Sequence, residues 1–136
     1  MIVNPNTLWS HGPYSLPRDE KRALFTQALT ELTEHHRQAC PAYGRFLQAV
    51  GWQPGTSCTP ETVPMLPVSI FKELELRSIP EEEIFKTVTS SGTTGQKVSR
   101  ICLDAQTAAD QQKALASIMA DLLGPDRLPY LVQDSK

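Results

Sequence analysis

The sequence has no basic excess. Lys and Arg together number 13 against 15 Asp and Glu, a formal net charge of -2. Proteins that hold nucleic acid by neutralising phosphates show a basic balance or patch, so a non-specific nucleic-acid binder is excluded. Nor is one half of the chain strongly charged: residues 1–70 carry five charges of each sign, and residues 71–136 carry eight basic and ten acidic. No apolar run approaches the ~18 residues of a membrane-spanning helix. The opening MIVNPNTLWSHG lacks the basic start and apolar core of a secretory signal, so a cytoplasmic location is expected. Cysteine is scarce: Cys40, Cys58 and Cys102 are odd in number, far apart and without a CxxC pair. That disfavours a disulfide scaffold, a metal site and a redox motif.

What is there fits one globular domain, or a piece of one. The chain has 136 residues, 40% of them hydrophobic and 21% charged, close to ordinary globular composition. Its 11 prolines punctuate the pattern. A first helix begins near Pro17, with Asp19 and Glu20 at the positive end of its dipole. Leu24, Phe25, Ala28, Leu29, Leu32 and His36 recur at three- and four-residue steps and define an apolar face. Pro41 interrupts it. A second helix, 42–50, turns Tyr43, Phe46, Leu47 and Val50 inward and stops at Gly51. Residues 51–69 read as a proline-rich loop with one helical turn started by Thr59-Pro60-Glu61.

The second half has a different texture. Residues 70–79 fit either a short helix or a strand, and Pro80-Glu81-Glu82-Glu83 is a polar turn. Residues 84–89 and 97–103 read as two strands. Asp104 is an N-cap for a last helix whose Ala108, Leu115, Met119 and Leu122 share one face, with Gly124-Pro125 as its stop. Residues 128–132 begin another strand. The expected class is α/β: several helices packed with a small sheet. The chain divides into a helical and loop segment, 1–66, and a sheet segment, 67–136.

One stretch carries chemistry: Thr89-Ser90-Ser91-Gly92-Thr93-Thr94-Gly95-Gln96-Lys97. Seven consecutive residues, 89 to 95, are Gly, Ser or Thr. Glycines let backbone approach a ligand closely, hydroxyls and bare N–H groups make an anion-binding concavity, and Lys97 adds a cation. Phosphates need that combination. The stretch is not a Walker A loop, which has four residues between its glycines and Lys-Ser/Thr directly after; here two residues separate Gly92 from Gly95. A hairpin turn of small polar residues fits the composition equally well.

The text around the stretch carries a resemblance that favours the phosphate reading. Ser90-Ser91-Gly92-Thr93-Thr94-Gly95 followed by Lys97 resembles the phosphate-binding loop of adenylate-forming enzymes. Phe71-Lys72-Glu73-Leu74, Phe85-Lys86-Thr87-Val88, the run from Ser91 to Arg100, and Leu103-Asp104 together resemble the acyl-protein synthetase family, the fatty-acyl ligase component of bacterial bioluminescence. Cys40-Pro41-Ala42-Tyr43 is similar to the start of phenylacetate–CoA ligases, its close cousins. In the broad superfamily the loop ends glycine, any residue, proline, lysine; here Gly95 is followed by Gln96, Lys97 and Val98, so the lysine comes one place early and the proline is missing.

The resemblance implies the N-terminal part of an adenylate-forming fold, with the hairpin carrying the phosphate loop. It implies ATP and Mg2+ as cofactors, with Ser90, Ser91, Gly92, Thr93, Thr94, Gly95 and Lys97 as the phosphate contacts; Arg100, on the strand, reads first as a solvated residue. It implies a fatty-acid substrate, activated as acyl-AMP and passed to a protein thiol, and an acyl-reductase or acyl-transferase partner. The family's chain is longer, so a fragment is expected, without the adenine, ribose and magnesium regions, the lid and the acyl-accepting nucleophile. A fragment leaves apolar faces at 24–32 and 115–122 to be covered, which predicts self-association or poor stability. The remaining candidates read as structure. His35 and His36 point about 100° apart on a helix, the three cysteines fit packing roles, and Trp9 and Trp52 are packing anchors. The alternatives to an enzyme piece are a non-catalytic module that binds nucleotide or partner without turnover, and a piece of a phenylacetate–CoA-ligase-like enzyme.

Overall fold

The computed structural model describes residues 11, 12, 14–90, 97–126 and 129. Among them the fold is mixed α/β, with four helices and one two-stranded antiparallel sheet. Helix α1 spans Arg18–Ala39 and α2 spans Pro41–Ala49; α3 is one turn, Ile70–Glu73. A short 3-10 turn at Glu81–Glu83 leads into strands β1 (Lys86–Thr89) and β2 (Arg100–Leu103), and α4 spans Ala105–Leu123.

Helix α1 starts where its sequence dictates. Pro17 is its cap, with φ -54 and ψ 149, and accepts the first helical bond from Lys21 N–H at 2.9 Å. The helix ends at Cys40, whose φ -122 and ψ 99 are extended, because a residue before proline is pushed out of the α region. Pro41 therefore opens α2 as its first residue. Gly44 makes that corner fit: a Cβ there would lie 3.0 Å from the Arg37 carbonyl oxygen. At the other end of α2, Gly51 (φ +75) donates to Gln48 O and Trp52 N–H donates to Leu47 O, the paired closure of a left-handed glycine stop.

The loop after α2 is pinned to α1. Cys58 N–H donates to Thr30 Oγ1 at 2.9 Å, and Arg22 meets Glu61 through both carboxylate oxygens, Nη2 to Oε2 at 2.8 Å. The turn expected at Thr59-Pro60-Glu61 is closed by Val63 N–H to Thr59 O at 2.9 Å. The segment 70–79 resolves into the single turn of α3 followed by extended chain.

The core is small. Cys40, Leu47, Cys58, Leu103 and Ala108 are buried, with the polar Thr33 and Ser99. Two expected faces are corrected by this. On α1 the buried residue is Thr33, while Phe25 and Leu32 of the predicted stripe are exposed. Helix α2 packs against α1, and Thr33 is the α1 residue that is buried. Val50, expected inward, is exposed where the chain turns at Gly51. On α4 only Ala108 is buried; Leu115 is 62% and Leu122 78% exposed, because the helix meets β2 near its start and then extends past the sheet. The strand expected at 128–132 lies outside the described residues, apart from Pro129.

Candidate functional site

The two expected strands form, shorter than the expected 84–89 and 97–103, and pair with Lys86 opposite Leu103, Thr87 opposite Cys102, Val88 opposite Ile101 and Thr89 opposite Arg100. Residues directly opposite share a face. Lys86, Val88, Ile101 and Leu103 form one face, and Thr87, Thr89, Arg100 and Cys102 form the other. Phe85 N–H donates to Leu103 O at 2.9 Å at the open end, and Ser90 N–H donates to Ser99 O at 3.2 Å at the closed end.

Of the sequence-predicted phosphate contacts, Ser90 and Lys97 are described. Ser91, Gly92, Thr93, Thr94 and Gly95 lie outside the described residues. Ser90 is joined to Ser99 by its backbone N–H. Ser90 also does structural work: its Oγ accepts a 3.0 Å bond from the N–H of buried Ser99. A hydroxyl has one donor and two acceptor lone pairs, so the Ser90 O–H remains able to donate to an anion. Lys97 is exposed, and its Nζ lies 3.0 Å from Glu73 Oε2 on α3. This cross-chain pair joins two motifs of the sequence, and no local spacing signals it. Arg100 is exposed on β2.

An exposed hydroxyl and an exposed ammonium at the two ends of a small-residue segment suit a phosphate. Among the described residues no group of three His, Cys, Asp or Glu side chains could hold a metal ion. Asp104 lies at the far end of β2. Its Oδ1 accepts from Thr107 N–H at 2.6 Å, and that backbone bond holds its carboxyl below the usual range. Its role is to start α4.

Of the other residues weighed in the sequence, Trp9 lies outside the described residues. His36 is half-buried, edge-on to Tyr43, with Nδ1 2.7 Å from Ser78 Oγ. Burial lowers its pKa, with His35 adding to the shift. Cys40 and Cys58 are free thiols inside the core, and Cys102 is half-buried. A hollow of about 600 Å³ runs along α1 beside Arg22, Thr26 and Thr30; neither Ser90 nor Lys97 lines it.

Over 90 residues the chain is 32% identical to a phenylacetate-coenzyme A ligase of Thermus thermophilus, a match covering 60% of this chain and 20% of that protein. It is 29% identical over 90 residues to a long-chain-fatty-acid–luciferin-component ligase of Photorhabdus luminescens, covering 66% of this chain and 77% of that protein. The matched part thus spans about a fifth of the length of the Thermus relative. No solved structure matches the chain. No helix among the described residues is long and apolar enough to cross a membrane. The acyl-protein synthetase, LuxE, family matches residues 4–135, nearly the whole sequence, and the chain belongs to that family.

Proposed function

We propose that this chain supplies the phosphate-gripping part of an ATP-dependent ligase that activates a fatty acid as acyl-AMP and passes the acyl group to a protein thiol. One observation carries the reading. A run of Gly, Ser and Thr ending in Lys97 joins two paired strands, in a chain of the acyl-protein synthetase family. The physical problem of the reaction is that two anions, a carboxylate and a triphosphate, must meet. Hydroxyls of Ser90, Ser91, Thr93 and Thr94 and the N–H groups of Gly92 and Gly95 would grip the β- and γ-phosphates, with Lys97 as a point charge. That neutralises the nucleotide and holds its α-phosphorus in line for attack. Magnesium would add to the neutralisation of the triphosphate, and an acyl-reductase or acyl-transferase would receive the acyl group in the cytoplasm.

The test is fatty-acid-dependent exchange of labelled pyrophosphate into ATP by the full gene product. Replacing Lys97 by Gln should cut exchange about tenfold, the size of a hydrogen bond to a charged group. Exchange indifferent to both Lys97→Gln and Gly92→Val would contradict the proposal. The likeness to a phenylacetate-coenzyme A ligase favours a second reading, in which coenzyme A is the acceptor. Product release that requires coenzyme A rather than a protein thiol would select it.

A further inference from the structure

Lys97 is engaged rather than free: its Nζ lies 3.0 Å from Glu73 Oε2, and both side chains are largely in water. Glu73 is held in place by a series of tight turns, with Ile70 N–H bonded to Pro67 O, Lys72 N–H to Ser69 O and Leu74 N–H to Ile70 O. Helix α3 in turn packs against β2, the strand that begins three residues after Lys97. The carboxylate is thus presented from α3 to a cation three residues ahead of β2. We propose that Glu73 is a positioning residue that holds the Lys97 ammonium when no nucleotide is bound and competes with phosphate for it. This rests on the phosphate-binding reading of residues 90–97.

The physics is an exchange of partners. An exposed ion pair is weak because water screens it and two long side chains must be ordered. A polyphosphate carries several charges and short acceptor oxygens, so it can take the ammonium from a single carboxylate. The pair therefore lowers polyphosphate affinity without abolishing it.

The experiment is a double-mutant cycle read by titration of inorganic pyrophosphate and of ATP into the full chain. The chains compared are wild type, Glu73→Gln, Lys97→Gln and the double variant. Glu73→Gln should tighten binding about two- to fivefold, the range an exposed pair supports, and should have a smaller effect in the Lys97→Gln background. Equal gains in both backgrounds would mean Glu73 acts as a bare repulsive charge and would overturn the proposal. A loss of affinity in Glu73→Gln would overturn it too, by showing that the carboxylate helps to seat phosphate. Without ligand, the Lys97 side-chain NMR resonance should move on Glu73→Gln; an unmoved resonance would remove the contact on which the proposal stands. Wild type that binds neither anion would instead bring down the phosphate-binding reading itself, and this inference with it.

Discussion

His36 sits where α1 meets the chain that follows α3, its Nδ1 2.7 Å from Ser78 Oγ and its ring edge-on to Tyr43. Burial, and then the neighbouring His35, hold its pKa below the ordinary histidine value of 6.5. The folded chain consequently binds fewer protons at this site than the unfolded chain. The stability it contributes is complete above about pH 6.5 and is lost as pH falls towards the lowered value. Chemical denaturation at pH 7.5 and pH 5.5 should show a loss at the lower pH that His36→Gln lacks. An equal pH dependence in both proteins would contradict the packed, neutral histidine. At the same scale, Leu47 is 1% exposed, and Leu47→Ala should cost about 2–5 kcal/mol in a denaturant titration. A cost under about 1 kcal/mol would mean that α2 is not anchored there.

Among the elements, those with a local chemical reason were legible in the sequence. Asp104 caps α4, Gly51 stops α2 and Thr59 starts its turn, because caps, left-handed glycines and hydroxyl turns are set by residues three or four apart. Asp104→Ala should therefore cost about 1 kcal/mol. The carboxyl of Asp104 is held below the ordinary 3.8, so its contribution is present above that pH and is lost as pH falls through the lowered value. Thermal melts of the two proteins at pH 6 should differ, and the difference should shrink in strong acid. Equal melts at pH 6 would contradict the cap. The buried sides of the helices were not legible. A three- and four-residue rhythm marks an apolar face but not which helix covers it, so Thr33 is inside while Phe25 and Leu32 are exposed. The candidate site divides the same way. Its composition stood out in the sequence, whereas the Ser90–Ser99 bond and the Lys97–Glu73 pair arise from strand pairing and from contact between distant segments.

Across the whole molecule the described residues leave much apolar surface in water. Phe85 is 68%, Met65 74%, Val68 76% and Leu122 78% exposed. Two strands alone are marginally stable and need a covered face, yet Val88 and Ile101, which share a face, are 39% and 46% exposed. Exposed apolar patches drive association. Sedimentation velocity on this chain should show concentration-dependent self-association; a monodisperse monomer with one cooperative melt would contradict the expectation.

The central claim is that residues 90–97 bind the phosphates of a nucleotide. Calorimetric titration of magnesium–ATP into folded wild type, Lys97→Gln and Gly92→Val tests it most directly. The account predicts binding by wild type, binding about tenfold weaker without the lysine charge, and no binding once a side chain fills the glycine position. Equal binding by all three, or none by folded wild type, would contradict it.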